Sequence, residues 1–289
     1  LSRNNENRTG AKQSAEAPVI NEEEKENEAV ARSPLEFVTP TDFVELPSRG
    51  NGYPKEHPLH GKEVLEIKFM TAKEEDILTS KSLIKNNLAL ERLLSSLIIN
   101  KAINPQTILT GDRNAIIVAA RKSGFGSTYE TTAICPSCGE KSKQDFDLNS
   151  PKIHYGHIPD IGDVEQTDQG TYLVTVPVSK FKVELKLMTG IEEQNITKSM
   201  TRAKKFKMPE ETMTTQYRQM IVSVEGHKEN KVIDYFIKNA PSRDTRFLKT
   251  IYQAISPDIK IVKDFVCPSC QHEQELEVSF GTDFFWPER

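Results

Sequence analysis

The tetrapeptide Cys-Pro-Ser-Cys occurs twice, at Cys135–Cys138 and Cys267–Cys270, and these are all the cysteines of the chain. Two such pairs supply four thiolates, the full donor set of a tetrahedral structural zinc site. The two-residue spacer lets each backbone fold around the metal so that both sulfurs reach it at about 2.3 Å. Cys135, Cys138, Cys267 and Cys270 are therefore the expected ligands of one structural Zn2+. Cysteine at all four places leaves no open coordination position, which argues against catalytic zinc. Compact zinc modules separate their pairs by roughly 15–20 residues. Here Cys138 and Cys267 lie 129 positions apart. A single site would tie together two distant parts of the chain, with the segment from about Asn149 to Asp264 inserted between the halves. After the cysteines one copy continues to Phe146 and Leu148, the other to Leu276 and Val278, so each reads as a hairpin with one apolar face on its outgoing strand. A redox Cys-x-x-Cys is the weaker reading, since two copies are unnecessary and neither clearly opens a helix. Unmetallated thiols and disulfides stay open.

The chain has 289 residues, enough for a sizeable core. Its hydrophobic share of 36% is low for a globular protein, which points to an unfolded or very polar portion. That portion is expected at residues 1–36. Leu1 to Pro34 lack any aromatic residue, include the run Glu22-Glu23-Glu24-Lys25-Glu26, and bury too little apolar surface to offset their ordering entropy. The same stretch has no apolar core of a signal peptide. No apolar run approaches the ~18 residues of a membrane-spanning helix, so no membrane partner is expected. The absent signal peptide and the few cysteines suggest a reducing, cytosolic origin. Net charge is −4, which argues against a strongly basic nucleic-acid binder.

Periodicity predicts an α+β fold. Phe43–Gly50 runs from an extended piece into a turn, and Val64–Phe69 reads as a strand. Thr71-Ala72-Lys73-Glu74 matches a capping box. It opens a helix over Glu74 to Ile99 that Asn86-Asn87 can interrupt. A second helix is expected from Asp112 to Lys122 with Gly124 as its stop. Strands are expected at 129–134, 144–148, 171–178 and 182–187, and helices at 191–205, 209–220, 232–238 and 243–255. Ile221–Gly226 is ambiguous. Four blocks result: a polar tail (1–36), an N-terminal strand and helical region (37–128), a split zinc-ribbon-like β module (129–150 plus 260–289), and an inserted α/β region (151–259).

Other candidates are weaker. His154 and His157 have no acidic residue in a ligand-like pattern and read as loop histidines. His272 either supports a zinc-bound cysteine from behind or is simply exposed. Gly124-Phe125-Gly126 reads as a turn rather than a nucleotide loop. Lys198, Arg202, Lys204, Lys205 and Lys207 form a basic cluster in a helical region, either a solvated face or a contact for acidic protein or nucleic acid. Phe284, Phe285 and Trp286, the only tryptophan, either pack back onto the core or contact a partner. No pattern assembles a nucleophile, base and oxyanion site, so the chain is not expected to be an enzyme.

The order of several stretches is specific: Val44-Glu45-Leu46-Pro47-Ser48-Arg49-Gly50, Met70–Leu78, Gly111-Asp112-Arg113-Asn114-Ala115, Ala119-Ala120-Arg121, both knuckles, and the ending Phe284-Phe285-Trp286-Pro287. With these the chain resembles the T-even-type baseplate hub and hub-assembly family of contractile-tailed bacteriophages, over about Phe37 to Pro287. The resemblance implies a structural or assembly role in the baseplate hub and no catalytic residues. It also implies other phage tail or baseplate proteins as partners. The location would be the virion baseplate or an assembly intermediate in the host cytoplasm. A second copy of the chain stays open as a partner. The rival reading is a zinc-ribbon nucleic-acid-binding protein contacting through the cluster near Lys204; the acidic balance and the lack of interleaved aromatics count against it.

Overall fold

A computed structural model of the chain describes residues 39–207, 209 and 211–286. The expected tail, 1–36, and Pro287 lie outside the described residues. From Pro40 onward the described residues belong to one body, of mixed helix and sheet.

Strands β1 (Thr41–Glu45) and β2 (Val64–Lys68) pair antiparallel, with Val44 opposite Leu65. Their alternation turns Val44, Leu65 and Ile67 inward and leaves Phe43 outside. The single helix expected over Glu74 to Ile99 is three pieces: α1 (Ala72–Thr79), α2 (Lys81–Lys85) and α3 (Ala89–Leu97). The first break falls at Ser80, whose ψ of 107° is extended. The second falls at the Asn86-Asn87 pair, where Asn87 takes φ 55°. Asparagine visits that left-handed region at lower cost than most residues. Helix α4 (Thr110–Phe125) overruns both expected ends. It passes through Gly124, which lies against Met70, and stops at Gly126, where φ is 84°.

Next come β3 (Thr128–Ile134), β4 (Lys141–Asp147), β5 (Lys152–His154), β6 (Val164–Gln166), β7 (Tyr172–Thr175) and β8 (Lys182–Leu185). Helix α5 spans Gly190–Lys205 and α6 Thr212–Met220, so Pro209 precedes α6 rather than opening it. The ambiguous stretch is strand β9 (Ile221–Val224). Helices α7 (Asn230–Asn239) and α8 (Ser242–Ile255) follow, then β10 (Asp258–Lys260), β11 (Val262–Val266) and β12 (Glu273–Glu277).

Strands β6-β7-β8-β9 form an antiparallel sheet in that order. The knuckle-bearing hairpins β3-β4 and β11-β12 are separate two-stranded sheets. Strand β5 pairs antiparallel with β10, His154 opposite Asp258, which brings the two ends of the chain between them together. The main apolar core runs through these elements. It joins Leu46 and Leu94 to Ile116 of α4, Val183 of the sheet, Leu248 of α8 and Phe284 near the end.

Candidate metal centre and the contacts that position it

The two knuckles fold alike. The Cys135 N–H donates to the Glu140 carbonyl at 2.9 Å, and the Gly139 N–H returns to the Cys135 carbonyl at 2.9 Å. In the second knuckle Cys267 donates to His272 at 2.9 Å and Gln271 returns to Cys267 at 3.0 Å. The fourth residue after each first cysteine takes a left-handed conformation, Gly139 at φ 76° and Gln271 at φ 58°. Cys135 and Cys267 are buried while Cys138 and Cys270 are exposed.

Across the hairpins the sulfurs converge. Sγ of Cys135 and Cys270 are 3.7 Å apart, and those of Cys138 and Cys267 are 3.6 Å apart. All four lie within 4.8 Å of one another. These separations exceed the roughly 2.05 Å of a disulfide. They match the edge of a sulfur tetrahedron, which for metal–sulfur bonds of about 2.3 Å is about 3.8 Å. A small apolar cluster of Cys135, Phe265 and Cys267, with Leu276 against it, backs the site. Lys263 joins the hairpins by donating to the carbonyl and to Oδ1 of Asp145, both at 3.0 Å.

The thiols are unevenly poised. The Cys270 N–H favours the Cys267 thiolate; burial opposes it, the Ser269 N–H adds to it, and the thiol is drawn down to about 7. The Glu140 N–H favours the Cys138 thiolate, but the neighbouring cysteines outweigh it and push that thiol up to about 12. Four adjacent sulfurs cannot all carry negative charge without a cation among them, so the donor set suits a soft divalent metal. Among the described residues no other group of three or more His, Cys, Asp or Glu brings its ligand atoms together in this way. His154 and His157 instead serve the fold: His154 Nε2 and the His157 N–H both reach the Ala254 carbonyl at 2.9 Å.

Helix α4 holds the surroundings in place. Gly111 lies so close to Pro257 that a Cβ there would come within 2.2 Å of its carbonyl oxygen. Asp112, fully buried, accepts from the Ser48 N–H at 2.9 Å, the Ser48 hydroxyl at 2.6 Å and the Tyr53 hydroxyl at 2.7 Å. Tyr53 Oη in turn accepts from the Leu109 N–H at 3.0 Å. Burial raises the Asp112 carboxyl above its usual range against the pull of these bonds. Arg113 Nη1 donates to the Pro105 carbonyl at 3.0 Å and its Nε faces Glu193 at 3.5 Å. Asn114 Nδ2 donates to Asp258 Oδ1 at 3.2 Å, on strand β10. Gly111 and Asn114 thus hold the 257–258 segment to α4, Asp112 holds the Ser48–Tyr53 segment, and Arg113 reaches Pro105 and Glu193. The sequence marks them as a group but not what they touch.

The chain end returns to the same helix. Phe284 and Phe285 are buried in the core, the first of the two arrangements open to them. The physical reason is the cage around them: Arg121 lies over the rings of Phe125, Tyr129 and Phe284 at 4.9, 5.3 and 5.7 Å. Trp286 is half-buried and meets Phe125 edge-on at 5.9 Å.

An α+β body with two hairpins joined at a four-cysteine cluster able to hold a metal is a structural type, with its polar interior used for fastening. The chain belongs to the family described as T4 bacteriophage base plate protein, which it matches over residues 44–286. It is accordingly a structural protein of a phage baseplate, with the virion as its place. No curated protein and no solved structure matches the chain. Among the described residues no helix is long and apolar enough to cross a membrane.

Proposed function

We propose that this protein is a structural or assembly component of the baseplate hub whose body is stapled by one Zn2+ held by Cys135, Cys138, Cys267 and Cys270. The observation that carries the metal is the convergence of four sulfurs within 4.8 Å of one another, with cross-hairpin separations of 3.6 and 3.7 Å. All-thiolate donors select zinc or iron in tetrahedral geometry, and a closed set of four serves structure rather than catalysis. Under this reading 129–150 and 260–289 form one split zinc-ribbon-like module, and zinc fixes the two ends of the inserted region 151–259 relative to α4. The folded faces outside that module contact other tail proteins.

Elemental analysis of the native chain beside a free-thiol count tests the metal. About one zinc per chain with no reactive thiols before denaturation is the expected result. No metal and four reactive thiols would overturn it. The Cys138→Ser chain then tests the role: unchanged melting together with unchanged baseplate assembly would sink the staple.

A further inference from the structure

One part of the molecule has no core to rest on. Helices α5 and α6 form a hairpin, and among the described residues from Thr197 to Met213 none is buried. A short helix with no apolar face packed is marginal in water. This end carries Lys198, Arg202, Lys204, Lys205 and Lys207, with no acidic residue between Glu193 and Glu210. All five are exposed and none makes an ion pair among the described residues. Cations in the last turn suit the helix dipole, which accounts for Arg202, Lys204 and Lys205. It does not account for three large apolar side chains among them: Met200, Phe206 and Met213 are 42%, 62% and 46% exposed. Between the helices a cleft of about 180 Å³, lined by Met200, Ala203, Thr212 and one carboxylate, Glu211, has room for one apolar side chain.

We propose that the outer end of the α5–α6 hairpin is a docking surface for an acidic protein segment that carries one large apolar anchor. Charge complementarity selects the occupant. A second copy would bring the same five cations and be repelled. A single-stranded nucleic acid needs successive aromatic faces, and this end offers one ring, Phe206. Methionines are adaptable contacts for protein side chains. The inference rests on the assembly role proposed above and locates one of its contacts.

The test uses a phage lacking this gene, complemented by the full-length chain. In the Lys204→Glu/Lys205→Glu chain, assembled baseplates should fall roughly tenfold or more, because reversed charges face a like-charged partner. Melting and metal content should match the parent. A photo-reactive phenylalanine analogue at position 206 should cross-link to an acidic segment of a baseplate protein, and the purified pair should bind more weakly as salt rises. Full baseplate yield from the charge-reversed chain, or cross-links confined to nucleic acid or to a second copy, would overturn the docking surface and leave the assembly role standing. Normal baseplates from the phage lacking the gene would instead overturn the assembly role, and the docking surface with it.

Discussion

Arg121 Nη1 donates to the Phe285 carbonyl at 2.6 Å, joining residues 164 positions apart. The bond ties the chain end to α4 through a buried cation whose Nε has no hydrogen-bond partner. Burial lowers the Arg121 pKa, as it must when a charge leaves water. The aromatic rings around it compensate with their negative faces.

Removing that cation should loosen the end. Arg121→Ala leaves the Phe285 carbonyl unpaired and the cage empty, for an expected loss of about 2–4 kcal/mol. Arg121→Lys keeps the charge without the flat stacking surface and should lose less. Urea midpoints give the magnitude. The fluorescence of Trp286, the single tryptophan, gives the place: its emission should shift to the red in the alanine variant. Unchanged emission and midpoint would show that Arg121 anchors nothing.

The two knuckles differ at one informative position. Gln271 sits in the left-handed region where its counterpart is Gly139. A non-glycine residue there costs about 1–2 kcal/mol, partly offset by the greater freedom of glycine in the unfolded chain. Gln271→Gly should therefore be neutral to stabilising by up to about 1 kcal/mol, and Gly139→Val destabilising by about 1–2 kcal/mol. Thermal melts of the metal-loaded variants decide; equal losses for both substitutions would contradict the shared turn geometry.

Metal removal should act locally. The cluster behind the cysteines is small and meets the main core at Leu276. A chelator should therefore strip amide-exchange protection from β3, β4, β11 and β12 while α4 keeps most of its own. Complete unfolding, or no change in the hairpins, would contradict a metal whose hold is on the two hairpins and the chain ends that leave them.

What the sequence reveals depends on how far each signal reaches. The knuckles are legible because two ligands three positions apart carry their meaning locally, and the expectation that they share one site follows from ligand number alone. The Thr71–Glu74 box is legible for the same reason: Glu74 accepts from the Thr71 N–H at 3.0 Å and its hydroxyl at 2.5 Å. An equivalent box, Thr189 to Glu192, has the same spacing and opens α5. The roles of Asp112 and Arg121 are not legible, since Ser48 is 64 positions from Asp112 and Phe285 is farther still from Arg121. The break at Ser80 is hidden by an apolar pattern that continues across it. The final aromatic cluster left both of its readings open because composition cannot say which surface buries a ring.

Asp112 predicts a fall in stability toward higher pH. Its folded pKa is raised above the usual 3.8. The folded chain therefore holds this proton more tightly than the unfolded chain. The associated stability is fully present below the ordinary value and is lost as pH rises through the folded one. Asp112→Asn should remove this component. Asp112→Ala should cost about 3 kcal/mol or more, because two hydroxyls and an N–H lose their acceptor. Chemical melts across pH test both. An asparagine variant with the parent's pH profile would show that this carboxyl does not titrate differently in the fold.

Asp244 and Glu192 predict the opposite limb. Burial alone would raise the Asp244 carboxyl, but the N–H groups of Ser179 and Val178, at 2.9 and 2.7 Å, hold it below its usual value. Burial likewise opposes ionisation of Glu192. Lys186 at 2.7 Å and the Thr189 hydroxyl and N–H overcome it and lower that pKa too. A lowered folded pKa gives stability that is present above the unfolded value and lost as pH falls through the folded one. The parent should therefore weaken below the usual values of 3.8 and 4.5. Asp244→Asn and Glu192→Gln should each unfold in acid with uptake of roughly one proton fewer, read as a shallower dependence of the unfolding free energy on pH. Both variants should be less stable than the parent at neutral pH, since an amide accepts these bonds less strongly than a carboxylate. A slope equal to the parent's in both would place the acid sensitivity on other carboxylates and leave the turn at Ser179 and the start of α5 held by neutral hydrogen bonds.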